Sequence, residues 1–178
     1  MSRALSRIEQ DMNNELRQQM NVLLSCSAVA LHEKGFDKGK ILQMFEAAKE
    51  VWKECSSTND VSMMQMLEQE TEIEIQIGDG KSWRDVSWQN AKIWDGQMPT
   101  VPQLIYIRQQ QRKWIPAMVM GMMLIAVKRT ESWEYDELVS LMIQVDGMRD
   151  RYKAPKKAAE KMTEMTGITA QEVDDIWA

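Results

Sequence analysis

The sequence predicts a mainly α-helical protein with two similar helical halves, joined by a Trp-rich connector that holds a small β-hairpin. Each half is a helix pair plus a short helix. Apolar residues recur at three- and four-residue steps over most of the chain, as on one face of a helix. Only residues 71–77 alternate apolar and polar side chains, as a half-buried strand does. The same order of patterns occurs twice, which places the halves at 1–77 and 103–178 and the connector at 78–102.

The first half is predicted to begin with one long helix over residues 2–34. Its apolar residues fall on one face, and Gly35 is suited to end it because glycine adopts a left-handed backbone without strain. A helix of this length protrudes unless something packs along it. We therefore expect either a partner helix within the chain or a homodimer formed through this N-terminal helix.

The second helix carries the clearest periodic pattern, from Ile41 to Cys55, and Asp37 is a good N-cap for it. Asp60 can cap a third, short helix that runs through Leu67. The alternating residues 71–77 then form the first strand of the hairpin. Gly78-Asp79-Gly80 supplies the turn, and a return strand is expected over residues 83–88.

The second half is predicted to be helical from about Gln103, with Pro116 kinking or restarting the helix. Ser132 can cap the next helix, which runs to Tyr152. Pro155 suits the first turn of a further helix, since proline is tolerated there. Thr169-Ala170-Gln171-Glu172 matches a capping box and predicts a last short helix.

The two halves can be aligned by placing Phe36 on Trp133, which also puts Ile41 on Leu138 and Cys55 on Tyr152. No residue is identical across the two amphipathic helices in this alignment. Two explanations stay open: a true internal duplication, or two ordinary helix pairs built by the same packing rules.

One part of the sequence resembles a known group of proteins. The residues that carry the resemblance are Leu31-His32-Glu33, Gly35-Phe36, Lys40-Ile41-Leu42, Cys55 and Glu70-Thr71-Glu72-Ile73. They resemble small helical accessory proteins of Firmicutes phages and prophages, over about a third of the chain. Asp37, Lys40 and Glu72 depart from the usual glycine, arginine and glycine. The resemblance implies a phage-type accessory protein, and such proteins often antagonise a host system; it implies no known activity.

Composition and charge exclude several classes of protein. A hydrophobic fraction of 44% argues against wholesale disorder, and a net charge of −5 argues against a strongly basic polyanion binder. Two cysteines and one histidine are too few for an ordinary zinc site. No signal peptide is visible, and the longest apolar run, 114–127, is shorter than the roughly 20 residues that cross a bilayer. We expect a cytoplasmic protein without membrane contact, in the host cell, with reduced and buried thiols.

No catalytic or metal-binding constellation is visible, so we predict no enzyme, no cofactor and no metal. His32 is the only histidine, and Cys26 would lie on a different face of the same helix. Glu72 and Glu74 would share a strand face, which is more typical of a solvated surface than of a cation site. The chain is also methionine-rich, with 16 methionines. Core packing is the simpler explanation for them, and a Met-lined contact surface around 63–66 or 118–123 is the alternative.

Charge is distributed unevenly along the chain. Residues 81–130 carry a net charge of +6, whereas residues 1–80 carry −6 and residues 131–178 carry −5. The basic segment also holds four of the seven tryptophans. The candidate partner- or nucleotide-binding residues are Trp83, Arg84, Trp88, Lys92, Trp94, Arg108, Arg112, Lys113 and Trp114. Cations meet phosphates and aromatic rings stack on bases, but the same residues also suit contact with an acidic protein, or the tryptophans belong to the core.

The sequence thus favours a non-enzymatic phage or prophage interaction protein, which inhibits a host defence component by protein–protein binding. The host protein would meet the basic–aromatic segment or the acidic outer helices. The alternative is a module that binds a nucleotide or single-stranded nucleic acid through the basic, Trp-rich segment.

Overall fold

A computed structural model describes residues 3–56, 60–77, 81–82 and 100–178, and these residues are mainly helical. They form seven helices: α1 (Arg3–Glu33), α2 (Lys38–Ser56), α3 (Asp60–Thr71), α4 (Val101–Glu131), α5 (Tyr135–Arg151), α6 (Pro155–Thr166) and α7 (Ala170–Trp177). Two short strands, β1 (Gln76–Ile77) and β2 (Lys81–Ser82), pair antiparallel. The predicted mainly α-helical class is confirmed.

The turn after α1 forms as its sequence predicts. Gly35 adopts a φ of +96°, and the Phe36 amide donates to the Leu31 carbonyl, which closes the helix end. The Asp37 carboxylate then accepts from the Lys40 amide at 2.8 Å and so caps α2.

The predicted cap of α5 is wrong. Ser132 ends α4 with a φ of +55°, and its amide donates to the Lys128 carbonyl. The cap of α5 is Glu134, whose amide donates to the Glu137 side chain at 2.9 Å. A serine can serve either end of a helix, and its left-handed backbone here suits only the end of α4.

Helix α4 begins two residues before its predicted start and does not restart at Pro116, whereas a kink there stays a prediction. It begins at Val101, because Thr100 and Gln103 form a capping box, and it runs through Pro116 to Glu131. Proline removes one helical hydrogen bond, but the helix is buried from Ala117 to Val127, so tertiary packing compensates for that loss.

The alternating segment 71–77 is a strand only at its end. Thr71 is the last residue of α3, and Glu72 has a φ of +61°. Burial nevertheless alternates, with Ile73 and Ile77 buried and Glu72, Glu74 and Gln76 exposed. The predicted return strand over 83–88 lies outside the described residues.

The same turn closes α3 and α6. The Thr71 hydroxyl donates to the Leu67 carbonyl at 2.6 Å and accepts from the Ile73 amide at 3.2 Å. Thr166 makes the equivalent bonds to Met162 and Ile168, at 2.7 and 3.1 Å. A threonine that satisfies both a helix carbonyl and the amide two residues on fixes the direction in which the chain leaves.

The two long helices, α1 and α4, pack against each other, and each also packs against shorter helices. Helix α1 packs most extensively against α6 and also against α5, whereas α4 packs against α2 and α3. The partner helix expected along α1 is therefore α6 of the same chain. A homodimer through α1 stays a prediction.

The core contains most of the methionines that were candidates for a contact surface. Met63, Met64, Met118, Met120, Met122 and Met123 are all buried, and Met66 is partly buried against them. The thioether is flexible and fills irregular space between helices, so these side chains pack the interior.

Candidate interaction surface

The structure describes four of the nine predicted site residues. Trp83, Arg84, Trp88, Lys92 and Trp94 lie outside the described residues. Arg108 lies on α4, and Arg112 and Lys113 are exposed on the same helix.

Trp114 is in the core. It is only 1% exposed, so its ring has no free face on which a base could stack. We therefore remove Trp114 from the candidate surface. A pattern in the sequence does indicate that Trp114 is buried. One face of the apolar run steps by four, three and four residues through Trp114, Met118, Gly121 and Ile125.

The first turns of α4 expose apolar side chains. Val101, Ile105 and Tyr106 are each at least 39% exposed, and Arg112 and Lys113 follow on the same helix. We call these five residues the α4 face. Helix α4 has no acidic residue before Glu131, so the face combines apolar contact area with positive charge. The cations of the α4 face could be identified from the sequence, whereas the exposure of its apolar residues is visible only in the structure.

Arg112 connects the α4 face to α1 through an ion pair with Glu15. Beside this pair lies a cavity of about 360 Å³, lined by Gln18, Gln19 and Arg149 among others. A larger cavity of about 600 Å³ lies where α1, α2 and α7 meet and includes Trp52 and Trp177 in its lining. Such volumes suit small molecules.

A salt-bridge network fixes the far end of α4. Arg129 binds Glu54 through Nη1 at 2.8 Å and Glu70 through Nη2 at 2.7 Å. The hydrogen bonds that Arg129 donates to Glu70 and then to Glu54 raise the pKa of its guanidinium further above its usual range. Glu70 is thus held inside the protein's own network, and it is not a free member of an acidic surface.

The thiols are not nucleophiles in this fold. Cys26 and Cys55 are free and buried. Burial raises the pKa of Cys26 to about 11, against a smaller lowering by Arg149, and burial also raises the pKa of Cys55. The thiolate is the reactive form, so both groups are almost entirely protonated near neutral pH.

We therefore expect native protein to be inert to a thiol reagent such as dithionitrobenzoate at pH 7.5. Two thiols per chain should react at once in 6 M guanidinium chloride, since unfolding exposes both and restores their ordinary pKa. Rapid reaction of either thiol in native protein would contradict the buried placement.

No group of three His, Cys, Asp or Glu side chains able to hold a metal ion occurs in the described part of the chain. Among the described helices, none has the length and apolar character needed to cross a membrane. No protein-family model, curated protein or solved structure matches this chain.

Proposed function

We propose that this chain is a non-enzymatic interaction protein of the phage or prophage type, which inhibits a host defence component by binding it. The observation that carries the proposal is the α4 face, where three exposed apolar side chains are followed by two exposed cations. Interfaces combine a buried apolar or aromatic centre with a polar rim in this way. The protein would act in the cytoplasm of the host cell.

Charge favours an acidic partner surface. Helix α4 carries five basic residues and no acidic residue before Glu131, in a chain with a net charge of −5, so it is a basic element of an acidic protein. Complementary charge accelerates encounter and sets orientation, while the buried apolar groups hold the complex. A host protein that presents an acidic rim around an apolar groove fits this face.

We further propose that the two halves arose by duplication and are related by an approximate two-fold axis. Helices α1 and α4 both have 31 residues, α3 and α6 both have 12, and the threonine turns are alike. Phe36 contacts Trp133 edge-to-face, with ring centroids 5.7 Å apart. Glu15 pairs with Arg112, and both pairs are separated by 97 positions. Equivalent residues can meet each other only near a two-fold axis, so these contacts support the proposal.

The alternative proposal is a module for a nucleotide or single-stranded nucleic acid. It is supported by the exposure of Arg112 and Lys113 on one helix that also carries Arg108. Trp114 does not support it, because its ring is buried. Size-exclusion chromatography with absorbance at 260 and 280 nm distinguishes the two proposals. A 260/280 ratio that is high and falls on washing with salt would favour the nucleic-acid module.

The test of the interaction proposal uses Lys113→Glu on the α4 face and Lys156→Glu as its control. Lys156 is a highly exposed lysine on α6, so both variants change the charge equally. Tagged protein captures its target from host lysate, and the purified target is then titrated by calorimetry. We expect Lys113→Glu to weaken binding about tenfold and Lys156→Glu to leave it within about twofold.

A wild-type protein that captures no host protein would contradict the proposal. Equal binding by both variants would exclude the α4 face as the contact surface. Inhibition of a host defence activity by wild-type protein, lost with Lys113→Glu, would support both the contact and its consequence.

A further inference from the structure

The cavity of about 600 Å³ where α1, α2 and α7 meet has a simple structural origin. Helix α7 is held on α2 by the ion pair between Lys38 and Glu172 at 2.8 Å and by the hydrogen bond from Lys49 to the Ile176 carbonyl. Its contact with α1 is much smaller. The short helix therefore leaves a space between itself and α1, which we call the α1–α7 cavity.

Apolar and aromatic side chains form much of the wall of this cavity. Met20 and Leu24 line it from α1, Ile115 from α4, Trp52 from α2 and Trp177 from α7. Both indoles are partly buried and pack against the core. Neither of them contacts another aromatic ring among the residues that the structure describes. An indole that lines a cavity and has no aromatic partner can pack against a flat ring of a ligand.

Positive charge lies on the α1 and α2 sides of the cavity. Arg17 of α1 and Lys53 of α2 are exposed lining residues, and Lys49 of α2 is partly buried. Lys49 is engaged by the Ile176 carbonyl, and Lys53 pairs with Glu50 at 2.8 Å. Arg17, in contrast, makes no ion pair or hydrogen bond within the described ranges of the chain, so its guanidinium is open to a ligand.

Negative charge lies on the opposite side of the cavity. Asp174 and Asp175 line it from α7, and Asp175 accepts a hydrogen bond from Gln171 of the same helix at 2.7 Å. An anionic group is attracted to α1 and α2 and repelled from α7. The charges would therefore orient an anionic ligand with its charged group towards Arg17.

We propose that the α1–α7 cavity binds a small aromatic anion, which is a flat ring system with one carboxylate, sulfonate or phosphate group. The rings would pack against Trp52 and Trp177, and the anionic group would pair with Arg17, whose planar guanidinium suits two-point contact with such groups. The cavity volume lies within the range of small-molecule sites. This ligand site goes beyond the proposed function and does not depend on the target of the α4 face.

The test titrates anilinonaphthalene sulfonate, an aromatic anion whose fluorescence rises in an apolar site, into the full chain. We expect saturable binding of one molecule per chain. Naphthalene sulfonate should displace the probe, whereas naphthylmethylammonium, with the same rings and the opposite charge, should compete about tenfold more weakly. The absence of saturable binding, or equal competition by the two naphthalenes, would overturn the proposal.

The variant Arg17→Glu tests the contact with the anionic group. Its matched control is Arg7→Glu, which makes the same change at another exposed arginine of α1 that does not line the cavity. We expect Arg17→Glu to weaken probe binding about fivefold or more and Arg7→Glu to change it less than about twofold. Equal losses in the two variants would show general attraction between charges and would overturn the proposal.

A space-filling variant tests the location. Asn21 of α1 lines the cavity and is partly buried, whereas Asn14 is exposed on the same helix and does not line it. We expect Asn21→Trp to occupy the cavity and weaken binding about tenfold, and Asn14→Trp to leave it within about twofold. Undiminished binding by a folded Asn21→Trp variant would place the probe elsewhere and contradict the proposal. If Asn21→Trp does not fold, the two arginine variants decide, since both arginines are exposed.

Discussion

Replacing Trp114 with alanine is expected to lower the free energy of unfolding by about 3–5 kcal/mol. The indole is 1% exposed and lies where α4 enters the core, so its removal leaves a cavity and forfeits the burial of a large apolar surface. Guanidinium chloride unfolding followed by circular dichroism at 222 nm measures the change.

The control is Lys113→Ala, one residue away and exposed. It should change stability by less than about 0.5 kcal/mol, as surface substitutions do. A loss below about 1 kcal/mol for Trp114→Ala would show that the ring is not part of the core. Reduced ligand binding at unchanged stability would return Trp114 to the candidate surface.

The second large effect is expected at Gly121, where α3 packs onto α4. An added Cβ there would lie 3.1 Å from Met64 Cε and 3.4 Å from Met63 Cγ, so a larger side chain overfills a closely packed crossing. We expect Gly121→Leu to lower the free energy of unfolding by about 2 kcal/mol, even though leucine favours a helix more than glycine does. Thermal unfolding measured by calorimetry checks the change.

Gly147 of α5 is the matched control for this substitution. It is also a helix-interior glycine, but no atom lies within 4 Å of its added Cβ. Gly147→Leu should therefore raise the free energy of unfolding by about 0.5–1 kcal/mol, through helix propensity alone. Equal effects at the two glycines would show that the α3–α4 crossing is looser than the structure indicates.

The local elements could be predicted because their causes are local. The periodicity from Ile41 to Cys55, the cap at Asp37 and the capping box from Thr169 to Glu172 each depend on residues a few positions apart. The error at Ser132 has the same origin. Serine can lie at either end of a helix, and here its left-handed backbone conformation places it at the end of α4.

The candidate site was predicted only in part. The basic character of α4 follows from Arg108, Arg112 and Lys113 alone, because charge is a property of the residues themselves. Which apolar neighbours are exposed does not follow. Trp114 was a candidate binding residue on its sequence, yet it is buried, whereas the apolar Ile105 is exposed. The difference depends on which part of α4 packs against the other helices.

The sequence by itself determined the helical class, the order of the elements, the caps at Asp37 and Thr169, and the pattern that occurs twice. Each of these follows from local backbone preference and from the spacing of apolar side chains. Only the tertiary structure decided that α1 packs on α5 and α6 and α4 on α2 and α3, that Trp114 is internal, and that the α4 face is exposed. Burial of an amphipathic face lowers the free energy whichever helix covers it, so periodicity cannot specify the partner. The partner of each helix is determined by complementary shape, as at Gly121, and by contacts between residues distant in sequence, as between Arg129 and Glu54.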